Sequence, residues 1–99
     1  MDGLKYITNQ LGVASPSGLY SLAVRATVSD LIFVSGQTAI DADGNLVGKG
    51  DIAIQTRQVF KNLEHILSSE KADFKNVLEF TIYIVGNDSV KPFIDARTE

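Results

Sequence analysis

Residues 31–37 read Leu31-Ile32-Phe33-Val34-Ser35-Gly36-Gln37, four consecutive apolar side chains running straight into a small polar tripeptide. A strand whose residues alternate needs cover on one face only, whereas a run with no polar position must be covered on both. The run therefore predicts an inner strand with something packed on each side. Where it stops, Ser35 offers a hydroxyl, Gly36 a backbone that a ligand can approach closely, and Gln37 an amide that both donates and accepts. That end of the strand is a floor suited to a small polar ligand.

The sequence on either side supplies more strands and two helices. Tyr20 to Val28 alternates, with Leu22, Val24, Ala26 and Val28 on one face and Ala23, Arg25 and Thr27 on the other. Ser29-Asp30 separates this half-buried strand from the inner one and predicts an antiparallel hairpin. A short strand around Leu4 to Thr8 comes first, followed by a loop marked by Gly12, Ser15, Pro16, Ser17 and Gly18, with order resuming at Leu19. Downstream, Asp43-Gly44 is a strong turn dipeptide with a short return strand at Leu46-Val47. Gly48 and Gly50 then free the chain to enter a helix capped by Asp51 and running to Ser68 or Ser69, roughly 27 Å at 1.5 Å per residue. Ile52, Thr56, Val59, Phe60, Leu63, Ile66 and Leu67 form its apolar stripe. Val77 to Val85 alternates again and predicts a further strand, and a second helix starts near Ser89 with Pro92 in its first turn. Its end at Glu99 sets an acidic residue where the helix dipole is already negative, which predicts a frayed tail or the edge of a longer protein.

Ninety-nine residues suit one domain, which buries roughly 60 to 70% of the surface its unfolded chain exposes, so stability is modest and oligomerisation helps. Twelve acidic residues against nine basic ones give a formal charge of −3 with no basic cluster, which opposes a nucleic-acid partner. No cysteine is present, which removes disulfides and thiolate chemistry and fits a cytoplasmic protein. No apolar run approaches the roughly 20 residues of a membrane span, so no membrane partner is expected.

Several motifs have simpler explanations. Gly48-Lys49-Gly50-Asp51-Ile52-Ala53 imitates a dinucleotide fingerprint, but Asp51 would set a carboxylate where the pyrophosphate lies, and a glycine turn into a capped helix accounts for it. Gly44 to Lys49 falls one residue short of a phosphate-binding loop. Asp41, Asp43 and Asn45 imitate a calcium loop, yet Ile52 stands where the bidentate glutamate belongs, leaving a hairpin turn. His65, the single histidine, falls on the polar side of the helix with nothing to share a metal, which also leaves a serine triad without its base. Tyr20 and Ser21 begin a strand beside Ser35 and Gly36, where a phenol, a hydroxyl and an open backbone can converge to bind a carboxylate or carbonyl, ordinary strand-end residues being the equal alternative.

At these residues the chain resembles the YjgF/Rid family of reactive-intermediate (enamine and imine) deaminases. SGLYSLAV (17–24) is similar to the family's Gly-Pro-Tyr-Ser segment, and LIFVSGQTAIDADGNLV (31–47) to its Val-Ser-Gly-Gln stretch and hairpin. GDIAIQTRQVFKNLEHIL (50–67) is similar to its Gln-Thr-Arg-Gln helix with the following asparagine, and VLEFTIYIVG (77–86) to the next strand. The resemblance implies an α+β, chorismate-mutase-like fold: a mixed β-sheet with two helices packed on one face, assembled as a homotrimer whose sheets face inward. A neighbouring subunit would then cover the second face of Leu31 to Val34. It implies hydrolysis of 2-imino or enamino acids to 2-keto acids and ammonia with no metal or organic cofactor. The substrate-binding residues it implies are Tyr20, Ser35, Gly36 and Gln37.

Two further strands of the family carry an arginine that pairs with the substrate carboxylate and a glutamate that activates water, and both are expected beyond Glu99. Asp95-Ala96-Arg97 is similar to the arginine motif but falls in the second helix, so Arg97 is not assigned that role. Leu19 in place of proline, Leu22 in place of glutamine, and VGNDSV (85–90) mark a divergent branch. A non-catalytic trimer that binds small carboxylates or a protein partner is the alternative, and an endoribonuclease or translation inhibitor a weaker one.

Overall fold

The computed structural model describes residues 3–16, 18 and 20–99, so Ser17 and Leu19, which frame the expected passage from loop to strand, lie outside the described residues. The chain forms two compact units, Met1–Phe33 and Val34–Glu99, each taken by itself below.

In the first unit, β1 (Leu4–Ile7) pairs antiparallel with β2 (Ala23–Ala26) in the register Leu4 to Ala26 and Ile7 to Ala23. The ladder is extended at both ends, by Leu22 N–H donating to the Ile7 carbonyl and Thr27 N–H to the Gly3 carbonyl, both at 2.8 Å. The expected alternation holds across β2, where Val24 and Ala26 are half-buried and Ala23 and Arg25 exposed. The expected hairpin with Leu31–Val34 does not form. A two-residue hairpin loop of the favoured type needs positive φ, and neither Ser29 nor Asp30 adopts it. β2 therefore takes β1 as its partner. Leu31, Ile32 and Phe33 lie outside any ladder and are 61%, 47% and 89% exposed.

In the second unit, α1 (Ile52–Ser69) carries the packing. Asp51 caps it, its Oδ1 accepting from Ile54 N–H at 3.1 Å, and the predicted stripe faces inward, with Thr56 and Leu67 buried. The buried Thr56 hydroxyl donates to the Ile52 carbonyl at 2.7 Å, so it carries no unpaired polar atom inside. The helix ends on Lys71, which takes positive φ (+59°) while Ala72 N–H returns to the Leu67 carbonyl at 2.9 Å. Asp73 and Asn76 then close a reciprocal capping box around a single 3₁₀ turn, Phe74–Asn76. Phe60 meets Phe74 and Phe80 edge-on, at centroid distances of 5.9 and 5.7 Å.

α2 (Val90–Thr98) packs on α1 through Phe93 and Ala96, with Pro92 in its first turn as expected. The acidic end is offset: Arg57 Nε donates to Glu99 Oε1 at 2.8 Å and its Nη2 to the other carboxylate oxygen. The strand expected over Val77–Val85 forms no ladder, and Leu78, Phe80, Ile82, Tyr83 and Val85 are exposed. A strand exists only with a partner for its amides, and neither apolar segment finds one within its own unit. The sheet among the described residues is accordingly two-stranded and antiparallel, where a wider mixed sheet was expected. None of the described helices is long and apolar enough to cross a membrane.

Candidate functional site

Ser35, Gly36 and Gln37 lie near the start of the second unit, and Tyr20 belongs to the first, where it is 61% exposed. Ser35 and Gly36 are exposed and Gln37 half-buried, its Nε2 donating to the Ser35 carbonyl at 3.3 Å. Gly36 has no positive φ, and a Cβ placed on it would meet nothing within 4 Å. Neither conformation nor crowding inside the unit demands glycine there, so the bare backbone is open to an approaching group.

The segment leaves this site through a hairpin that α1 holds in place. Ile40 pairs with Leu46 across the turn, Val47 N–H donates to the Ala39 carbonyl at 2.8 Å, and Ala39 is buried. At the tip, one carboxylate oxygen of Asp41 accepts from the amides of Asp43 and Asn45, each at 2.9 Å, while Gly44 takes positive φ. The Asp41 carboxylate is thus used by the turn itself, and no cluster of metal-ligating side chains occurs among the described residues. Asn62 of α1 reaches across to this hairpin, its Nδ2 donating to the Thr38 carbonyl at 3.2 Å and the Ile40 carbonyl at 2.9 Å. Its Oδ1 accepts from Gln58 Nε2 at 2.8 Å. The sequence reading quoted Asn62 as the asparagine that follows the Gln-Thr-Arg-Gln motif but gave it no role. A second signal was an amide side chain in the middle of a helix, where such residues are disfavoured unless bonded elsewhere.

Among the described residues, two of the clefts lie in the second unit away from Ser35–Gln37. One of about 460 Å³ is lined by Arg57, Phe60, Lys61, Glu64, Phe74 and Arg97 among others. The other, about 270 Å³, lies between the start of α1 and Tyr83–Val85. Three of the charges near the first are engaged at the surface: Arg57 with Glu99, and Arg97 over the Phe93 ring at 5.6 Å. The hydrogen bond from Arg57, and then its charge, hold the Glu99 carboxyl below the usual range, and Glu99 raises Arg57 in return. His65 is exposed on α1.

The family model described as Endoribonuclease L-PSP matches residues 12–98. A RutC family protein of Pyrococcus abyssi is 39% identical over 77 residues, covering 77% of this chain and 59% of the relative. The 2-iminobutanoate/2-iminopropanoate deaminase of Rattus norvegicus is 37% identical over 67 residues, 68% of this chain and 47% of the relative. The 3-aminoacrylate deaminase RutC of Acinetobacter baylyi is 35% identical over 66 residues, 67% of this chain and 51% of the relative. The chain therefore spans between 47% and 59% of the length of these three relatives. No solved structure matches it significantly. Because the family model takes in nearly the whole sequence, the chain belongs to the endoribonuclease L-PSP family, the YjgF/Rid family that its motifs resemble.

Proposed function

We propose that this chain is part of a homotrimeric imine deaminase, in which a 2-imino or 2-enamino acid and water yield a 2-keto acid and ammonia. The observation that carries this reading is Gly36, a glycine required by neither backbone conformation nor local packing, set between a hydroxyl and an amide side chain. Relatives named as 2-iminobutanoate/2-iminopropanoate deaminase and 3-aminoacrylate deaminase support the substrate class. An iminium carbon is already electrophilic, so the protein has to orient the substrate, fix its carboxylate and deliver a proton and a water. In this reading Ser35, Gly36 and Gln37 of the second unit and Tyr20 of the first are the substrate-binding residues that the family resemblance implies, while the carboxylate-binding cation and the water-activating acid are expected outside these 99 residues.

The trimer is supported by apolar surface. Ile32 and Phe33 in one unit, and Leu78, Phe80, Ile82, Tyr83 and Val85 in the other, are exposed side chains on backbone outside any ladder, the kind of surface that a neighbouring copy covers. The full-length protein is expected to accelerate 2-iminobutyrate hydrolysis above the buffer rate, with ammonia released in step with keto acid. No acceleration, together with saturable binding of a small carboxylate, would favour the non-catalytic reading instead. RNA cleavage has the family's name in its favour and the acidic charge of −3 against it.

A further inference from the structure

Gln37 is followed at once by a sharp reversal in which Ile40 N–H donates to the Thr38 carbonyl at 2.8 Å, with buried Ala39 at its apex. Both carbonyls flanking Ala39 are taken by one amide group, that of Asn62. Two bonds from one planar group fix direction as well as distance, since a single bond leaves the corner free to swivel. The amide is itself locked. Flipping it would turn its oxygen toward two carbonyls and its NH₂ toward the NH₂ of Gln58, trading three hydrogen bonds for three repulsions. Gln58 therefore sets the Asn62 amide, Asn62 sets the corner, and the corner sets the path along which Ser35–Gln37 leaves the site.

We infer that Asn62, oriented by Gln58, is a positioning residue that holds the backbone of Ser35–Gln37 in place for its ligand. The inference rests on the reading of that segment as the ligand floor. α1 is the longest rigid element of the unit, and a floor anchored to it keeps the sub-ångström placement that orientation-dependent chemistry requires.

The test compares the full-length protein with Asn62→Ala and Gln58→Met by amide hydrogen exchange and by turnover of 2-iminobutyrate. The Asp41 and Val47 amides, which donate to the Asn45 and Ala39 carbonyls, report on the corner. In Asn62→Ala, which removes both bonds to the corner, they are expected to exchange at least about tenfold faster, while mid-α1 amides stay within about twofold, alanine being the better helix former. Gln58→Met should give the same pattern more weakly. Turnover should fall mainly in kcat, with KM changing less. Unchanged exchange at Asp41 and Val47 overturns the inference, as does faster exchange with kcat intact. Should the parent protein fail to turn over imines, the proposed activity falls by itself. The Ser35–Gln37 amide chemical shifts then decide the positioning role, and it is refuted if Asn62→Ala leaves them in place.

Discussion

Gly48 gives the sharpest test of how the second unit is built. Its φ is +78°, and a Cβ there would lie 2.7 Å from Ile54 Cγ2, 2.8 Å from Ile54 Cβ and 3.0 Å from the Gln55 amide nitrogen. The Ile54 methyl can swing aside because that side chain is 41% exposed, but the other two atoms are fixed to the first turn of α1. Gly48→Ala therefore carries two penalties: roughly 1–2 kcal/mol for a side chain at positive φ and about 1–3 kcal/mol for overpacking against the helix. Gly50 separates them, because its φ is +74° and a Cβ there would meet nothing within 4 Å. Gly50→Ala should show the first penalty alone. In urea unfolding followed by helix ellipticity, Gly48→Ala is expected to be less stable than Gly50→Ala by about 1–3 kcal/mol. In Tm each kcal/mol corresponds to about 4–8 °C for a domain of this size. Equal losses in the two variants would refute the claim that the Gly48 turn is packed directly onto α1.

Lys71 holds positive φ at the end of α1, so Lys71→Gly should stabilise the protein by about 1 kcal/mol in the same unfolding assay. Asp51→Ala should destabilise by about 1 kcal/mol through loss of the cap on Ile54 N–H, while Asp51→Asn should retain most of it. The Glu99 carboxyl, held low chiefly by the hydrogen bond from Arg57, should titrate below the ordinary glutamate range by carbon-detected NMR, and Arg57→Gln should return it there. Because its folded value is depressed, its stabilising contribution is present above the unfolded value and is lost as pH falls through the folded one. The pair is solvent-exposed, so the change in unfolding free energy should be small.

Local rules made α1 legible: an 18-residue stripe of period 3.6 behind an Asp cap can be read without knowing what packs on it. The Asp43-Gly44 turn was equally plain, because its Asx geometry is satisfied within five residues. The partner of β2 was not legible. Apolar content at Leu31–Val34 states a demand for cover but not who meets it, and without positive φ at Ser29-Asp30 the nearest strand in sequence was the wrong choice. Ser35, Gly36 and Gln37 stood out by residue type at the end of an apolar run. Asn62 was visible only as part of the helix motif, and its role was not, because its partners are main-chain carbonyls 24 and 22 residues away, and a carbonyl leaves no mark in a sequence.

In the proposed trimer, the exposed apolar segments at Leu31–Phe33 and Leu78–Val85 would tie the thermodynamics of this molecule to how much of it is dissolved. Greasy surface left to water in a dilute sample would be sheltered in a concentrated one, so that association and folding would share one equilibrium. Melting curves should climb with dose, and a value taken at one loading describes the loading as much as the fold.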